Sequence, residues 1–164
     1  MRKRILAATT VVAAVAIAIA TTAIATTSKA TETFSMLATS DPTTATNLIA
    51  TGAFTAGGTV IADGKAQKVR LPDGTFELVQ EKKGGVRKKD ESFNTTTCLY
   101  TKSGAAPFAL EDGTGAYKRI SGTVRASFVL RQVLARVKGV CAAPNTDVLT
   151  LQFIETASGP VSLP

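Results

Sequence analysis

Short apolar runs separated by glycine turns follow one another along this chain from residue 47 onward. Residues 75–80 and 123–131 alternate between apolar and polar positions with a period of two, which is the spacing of a half-buried strand. Asp63-Gly64 and Pro72-Asp73-Gly74 separate such runs, and these residue types favour tight turns. Strands that are interrupted by a turn about every 8 to 12 residues indicate an all-β domain.

The apolar positions between residues 127 and 138 fit two structures. Val129, Val133 and Val137 would lie on one face of a helix, whereas the alternation up to Leu130 continues a strand. The β-branched residues of this segment and its all-β surroundings favour the strand.

The segments that precede this one predict two strands and a glycine turn. Residues 92–102 alternate and predict one continuous strand, and residues 105–110 predict a short strand in which Pro107 requires an edge or bulge position. Gly113 and Gly115 are expected to shape a turn that enters the next strand directly. Tyr117 and Ile120 would then lie on opposite faces of that strand.

The N-terminus has the pattern of a bacterial signal peptide. Basic residues at positions 2–4 precede an apolar run over residues 5–20, and Ala23-Ile24-Ala25 has the small-x-small form of a cleavage site. The apolar run is also about 20 residues long, as an uncleaved membrane anchor requires, but threonine pairs dilute it. We therefore favour cleavage near Ala25 and a secreted protein that meets the membrane only during export.

Residues 26–46 are rich in Thr, Ala and Ser, and this composition predicts a flexible leader. Phe34, Met36 and Leu37 are apolar exceptions that fit either an early strand or an apolar part of the tail, and we favour the tail. The predicted organisation is a signal peptide at 1–25, a leader at 26–46 and one β domain at 47–164, since 164 residues are few for two domains.

The net charge of +7 falls once the signal peptide is removed, because that segment holds three basic and no acidic residues. What remains is a net charge of +4, from 16 basic and 12 acidic residues. The densest basic run contains Lys82, Lys83, Lys88 and Lys89, which suggests weak contact with an anionic polymer. Flanking acidic residues and the lack of interleaved aromatics favour a solvated loop instead, and we expect no nucleic-acid partner.

The residue types exclude most hydrolase chemistry. No histidine is present, so neither a Ser-His-Asp nor a Cys-His arrangement can form. Phosphate-binding glycine motifs are also missing, and we expect no cofactor and no metal. Carboxylates pair in sequence as Asp73 with Glu77 and as Glu111 with Asp112, but they fall at predicted turns or strand edges, where solvation accounts for them.

Cys98 and Cys141 are the only cysteines. An isolated pair in an exported chain is expected to form a disulfide, and a metal site would need further ligands that a chain without histidine lacks. The disulfide would close a loop of about 40 residues and stabilise the fold by about 3 to 4 kcal/mol.

Several turns carry a resemblance to a known family. They are Leu71-Pro72-Asp73-Gly74-Thr75-Phe76, Gly113-Thr114-Gly115-Ala116-Tyr117 followed by Ser121-Gly122-Thr123, and Gly159-Pro160-Val161-Ser162-Leu163, together with Cys98 in a Thr-rich segment. In these residues the chain resembles secreted actinobacterial proteins of the allene oxide cyclase and dirigent-like barrel group, over residues 47–163.

The resemblance implies a closed, eight-stranded antiparallel barrel whose lumen holds a small apolar molecule. Closure is physically reasonable for short strands, because it removes unpaired sheet edges. No catalytic residue can be transferred, since the matches lie at turns and glycines rather than at acid or base positions.

We therefore expect a secreted barrel that binds a small hydrophobic ligand, with Tyr117, Tyr100, Phe76 and Phe128 as candidate ligand-binding residues. One alternative is a surface module with a filled core that contacts the cell wall through the basic loop. Another is a cyclase or coupling-guide enzyme of the allene oxide cyclase or dirigent type, and we favour enzymatic activity less than binding. A filled lumen would exclude ligand binding, and an aliphatic interior would count against catalysis.

Overall fold

The computed structural model describes residues 29–40, 44–81 and 87–163, without the side chains of residues 87–89. The predicted signal peptide, Lys82 and Lys83 lie outside the described residues, as do the side chains of Lys88 and Lys89. The strands are Ala30–Ala38 (β1), Thr46–Thr51 (β2), Ala56–Asp63 (β3), Ala66–Leu71 (β4), Gly74–Gln80 (β5), Arg87–Asn94 (β6), Leu99–Glu111 (β7), Ser121–Leu134 (β8), Arg136–Val137 (β9), Val140–Cys141 (β10) and Val148–Ser162 (β11), and a 3-10 helix spans Gly115–Tyr117.

The main sheet closes into a barrel. Its strands follow the order β5-β4-β3-β2-β1-β11-β8-β7-β6, and β5 pairs in addition with β7. Eight strands therefore form a closed antiparallel ring, from which β6 extends as the hairpin partner of β7. The predicted all-β class and the eight-stranded antiparallel barrel are both confirmed.

Pro107 lies where one side of β7 changes its pairing partner from β6 to β5. β6 pairs with β7 as far as Ala105, whereas β5 pairs with it from Phe108 onward. The carbonyl of Pro107 accepts a hydrogen bond from the backbone N–H of Glu81 at 3.1 Å, in the gap between the two ladders. The missing N–H of the proline therefore interrupts no ladder, which is the kind of position that the residue predicted.

The predicted leader is wrong for Ala30–Ala38, because these residues form β1 between β2 and β11. Phe34 is fully buried and Met36 nearly so, while Leu37 on the other face is exposed. The Thr-rich composition predicted disorder, but threonine also favours strands. Alternate positions of this segment face the barrel interior, and their burial offsets the entropy of ordering the chain.

The predicted continuous strand over residues 92–102 is also wrong, since β6 and β7 form a hairpin there. The side chain of Asn94 accepts hydrogen bonds from the backbone N–H groups of Thr96 and Thr97, at 2.9 and 3.0 Å. This side chain replaces the strand ladder with a local turn, as Asn commonly does. Cys98 completes the turn with a positive φ of 54°.

The glycine turn at Gly113 and Gly115 leads into the 3-10 helix rather than directly into a strand. Tyr117 and Ile120 precede β8 and are both buried, so the prediction of opposite strand faces is wrong. The turn requires glycine at position 113, because a Cβ there would overlap the carbonyl oxygen of Tyr117. The ambiguous segment 127–138 is a strand: β8 continues to Leu134, and β9 follows.

The main core fills one end of the barrel. Phe34, Phe76 and Val124 are fully buried there, and the ring centroids of the two phenylalanines are 5.7 Å apart. A second cluster of Cys98, Tyr100 and Leu134 lies beside the Cys98–Cys141 disulfide, which the sequence predicted. Within the described ranges, no helix is long and apolar enough to cross a membrane.

Candidate functional site

The lumen of the barrel is open beyond the main core. Two cavities of about 150 and 230 Å³ lie there, and both are lined by Gln67, Phe153 and Glu155. The smaller cavity is otherwise lined by Met36, Thr46, Val60 and Ala62, and the larger by Gln80, Ala106, Phe108, Ala126 and Phe128. Most of these side chains are apolar, so the cavities form a hydrophobic site with few polar groups.

Strand register places Glu155 on the inner face of β11. It lies opposite Met36 of β1 and Phe128 of β8. Because side chains alternate along a strand, Phe153 and Ala157 share its face. Ala157 is fully buried in the main core, whereas Phe153 lines the cavities, so Glu155 lies at the boundary between the packed and the open lumen.

Glu155 is held by Gln67 from across the lumen. The Nε2 of Gln67 donates to both carboxylate oxygens, at 3.0 and 3.1 Å, and Glu155 is only 4% exposed. Burial raises the pKa of the Glu155 carboxyl above its ordinary value, and the hydrogen bond from Gln67 opposes this shift in part. No described Lys or Arg forms an ion pair with Glu155.

Small residues on β7 and β8 leave room for the larger cavity. Ala106 and Ala126 lie directly opposite each other on the inner face, and Gly104 lies opposite Phe128. The Phe128 ring stacks on Phe153 with centroids 6.0 Å apart and an interplanar angle of 27°. This aromatic pair forms a flat apolar wall beside the space that the alanines leave.

A wider groove of about 540 Å³ continues beyond the aromatic wall, along β8 and β11. Leu130, Val148 and Leu151 line it together with a polar pair, Gln132 and Asn145. The Nε2 of Gln132 donates to Oδ1 of Asn145 at 3.0 Å, and its Oε1 accepts from the Asn145 backbone N–H at 3.2 Å. These two bonds pair the side chain of Gln132 with Asn145.

Glu32 is a second buried carboxylate, at the closed end of the barrel. It is fully buried, and its Oε2 accepts a hydrogen bond from the backbone N–H of Phe54 at 3.0 Å. Burial raises its pKa, while hydrogen bonds from the backbone of the neighbouring loop and strand oppose the shift. Because these partners are backbone groups, Glu32 stabilises the loop between β2 and β3 by hydrogen bonding and has a structural role.

The structure separates the four predicted ligand-binding residues. Phe128 lines the larger cavity. Phe76 and Tyr117 pack in the main core with ring centroids 5.6 Å apart, and Tyr100 belongs to the cluster beside the disulfide. Tyr117 points inward, and burial raises its pKa. It lines neither of the two cavities nor the groove.

Glu155 and Gln67 are not among the site residues that the sequence predicted. A signal for Glu155 was present, because it continues the inner-face alternation of Leu149, Leu151 and Phe153 with a charged residue. Nothing local distinguished Gln67 from a solvated strand residue. Among the carboxylates that the sequence did pair, Asp73, Glu111 and Asp112 are exposed, as solvation predicts. The described residues contain no group of three or more acidic or cysteine side chains placed to hold a metal ion.

The fold and the site define a class: a small closed antiparallel barrel with a partly open apolar lumen and one buried carboxylate in it. Comparison of the chain with protein-family models, with curated proteins and with solved structures gives no match. The family resemblance is therefore supported only as far as the barrel itself. Any function must be argued from the lumen.

Proposed function

We propose that this protein is a secreted barrel that binds a small hydrophobic molecule in the lumen cavities beside Glu155. The observation that carries the proposal is the pair of apolar cavities that lies beside Glu155, next to a packed core. Small-molecule sites are usually concave and mostly apolar, with a few polar groups that fix the orientation of the ligand. The two cavities and their few polar groups have this form.

The size of the cavities sets the class of ligand. Pockets for drug-sized ligands measure roughly 300–1,000 Å³. The larger of the two cavities beside Glu155 is about 230 Å³, so the part of a ligand that it holds is smaller than these. Its apolar surface would be transferred from water to the wall of Phe108, Phe128 and Phe153, at about 25 cal/mol per Å² buried.

Export and the disulfide are consistent with each other. Disulfides persist in oxidising compartments, and the Cys98–Cys141 bond is compatible with such an environment. The predicted signal peptide would deliver the chain there. A secreted binding protein would then encounter its ligand outside the cell or in the envelope.

One observation supports a second candidate, a cyclase or coupling-guide enzyme on the same barrel. Glu155 provides a carboxyl group with a raised pKa in a lumen, and such groups serve as general acids or bases. An aliphatic interior would have counted against this alternative, and the interior is not aliphatic. Binding remains the primary proposal, because a single carboxyl group does not define a reaction.

Filling the larger cavity tests the proposal. Ala106→Leu places a larger side chain in the cavity, and Ala105→Leu is its matched control, because the adjacent position faces the outside of the barrel. Titration calorimetry with neutral probes, such as toluene, naphthalene and hexanol, measures binding to each variant. We expect wild type and Ala105→Leu to bind at least one probe, and Ala106→Leu to bind it about tenfold more weakly or not at all.

Two results would contradict the proposal. One is the absence of binding of every small apolar probe, whatever its head group, to the wild-type protein. The other is equal affinity of wild type and Ala106→Leu, which would place the bound probe outside the lumen. For the enzymatic alternative, the chemical identity of a bound ligand before and after incubation distinguishes turnover from binding.

A further inference from the structure

Few polar side chains line the lumen cavities: Thr46 lines the smaller one, Gln80 the larger one, and Gln67 and Glu155 line both. Glu155 is the one charged residue in the lining of either cavity, and it has no cationic partner among the described side chains. Gln67 donates to it through Nε2, which directs the amide nitrogen at the carboxylate and the amide oxygen away from it. The Oε1 of Gln67 is buried and has no hydrogen-bond partner among the described residues.

Buried acceptors without donors are unfavourable, and a buried carboxylate without a counter-charge is more so. Glu155 lines both cavities, and once ionised it has no counter-charge among the described side chains, while the Oε1 of Gln67 is a buried acceptor without a donor. A ligand that completes this site must supply N–H or O–H donors, and a positive charge would also neutralise the carboxylate.

We infer that the ligand is a small apolar amine, whose ammonium group binds between Glu155 and Gln67 while its hydrocarbon part fills the apolar cavity. This inference rests on the proposed function and names the chemistry of the same site. An ammonium has three donors and no acceptor, so it suits an ionised Glu155 and the unpartnered Oε1 of Gln67. A hydroxyl supplies one donor and no charge, and a ligand carboxylate would be repelled by Glu155.

The other charged groups on the inner face do not form an ion pair with Glu155 in place of a ligand. Lys102 lies on β7 opposite Leu130, one row nearer the mouth of the barrel, and its Nζ is 2.9 Å from Oε1 of Glu91. Glu32 lies on the inner face of β1 at the closed end, beyond the fully buried Phe34. Lys102 and Glu32 are the other charged residues that the described strands of the ring place on the inner face. Neither forms an ion pair with Glu155.

A matched series of hexylamine, hexanol and hexanoate tests the inference, because the three probes differ only in their head group. Titration calorimetry near pH 7.5 with the full protein should show hexylamine binding at least about tenfold more tightly than hexanol, and hexanoate more weakly still. Glu155→Gln should remove the preference for the amine and retain hexanol binding. The control Glu77→Gln changes a carboxylate that does not line the cavities and should keep the preference.

The pH dependence of wild type provides a second test that needs no variant. Hexylamine affinity should rise with pH as Glu155 loses its proton, which occurs above the ordinary range of a carboxyl because burial raises its pKa, while hexanol affinity stays nearly constant. Equal or tighter binding of hexanol or hexanoate, or a flat profile for hexylamine, would overturn the inference and leave the proposed function standing. Failure of all three probes and of the neutral aromatics would instead overturn the proposed function.

Discussion

Gln67 and Glu155 lie on strands that do not pair with each other, yet the amide nitrogen of Gln67 is within 3.1 Å of both carboxylate oxygens of Glu155. β4 and β11 are separated in the ring by β3, β2 and β1, so the contact crosses the lumen. Residues of β1, β2 and β3 line one cavity, and residues of β5, β7 and β8 line the other. The Gln67 side chain therefore divides the open lumen into two compartments.

Gln67→Ala should join the two compartments into one larger cavity. Wild type is expected to bind one- and two-ring aromatics and to exclude pyrene, whereas Gln67→Ala should bind pyrene as well. Pyrene fluorescence measures this, since its emission responds to transfer from water into an apolar site. Lys68→Ala is the matched control, because the adjacent side chain is exposed. Equal exclusion of pyrene by both variants would show that the contact does not separate the cavities.

Glu155 should make stability depend on pH in a defined direction. Burial raises its pKa above 4.5 in the folded state, so the folded protein holds this proton to higher pH than the unfolded chain does. Its contribution to stability is therefore fully present below the unfolded pKa and is lost as pH rises through the folded pKa. Each pKa unit by which folding raises the pKa of Glu155 corresponds to about 1.4 kcal/mol in the free energy of unfolding.

Urea denaturation of wild type and Glu155→Gln, at several pH values from about 4 to 8, isolates this contribution. The free energy of unfolding of wild type minus that of the variant should fall with rising pH and then level off. Glu32 shifts in the same direction but is present in both proteins, so its contribution cancels. A difference that rises with pH would show that Glu155 is stabilised as a carboxylate in the unliganded barrel.

The Cys98–Cys141 disulfide should contribute substantially to stability. The two cysteines are separated by 43 positions, and closure of a loop of this length stabilises the folded state by about 4 kcal/mol in the chain-entropy description. The double variant Cys98→Ala/Cys141→Ala should lose about that amount in urea denaturation. Reductant should destabilise wild type similarly and leave the double variant unchanged, and an equal effect on both would contradict this assignment.

Gly58 and Gly57 are neighbours on β3 with opposite tolerance for a side chain. A Cβ at Gly58 would overlap the backbone oxygen of Arg70 and approach the side chain of Leu71, whereas nothing lies within 4 Å of a Cβ at Gly57. Gly58→Ala should therefore reduce the free energy of unfolding by about 1 to 3 kcal/mol. Gly57→Ala should be neutral or slightly stabilising, and equal effects of the two substitutions would contradict the close approach of β3 and β4.

The fold was largely predictable, because alternation and turn residues act locally. The period of two over residues 123–131 and the Asp-Gly turns identify strands and hairpins without tertiary information. β1 was not predictable in the same way, since its Thr-rich composition suits either a tail or a strand. Only burial between β2 and β11 decides between them.

The site was less predictable than the fold, because it depends on contacts between distant residues. Gln67 and Glu155 are 88 residues apart, and neither forms a motif with its sequence neighbours. Aromatic residues were reasonable candidates for a hydrophobic site, but an aromatic side chain fills a core as readily as it lines a cavity. Phe128 differs from Phe76 because its strand neighbours are alanine and glycine positions that leave space beside it.

The pairing of β1 with β11 has a kinetic consequence. Nine residues at the start of the described chain pair with residues 153–161 near its end, so the barrel cannot close until the last strand is available. Contacts between such distant segments slow folding, because a long loop must be ordered before they form. The contact of Gln67 with Glu155 and the lumen around it therefore form only once the C-terminal strand is in place.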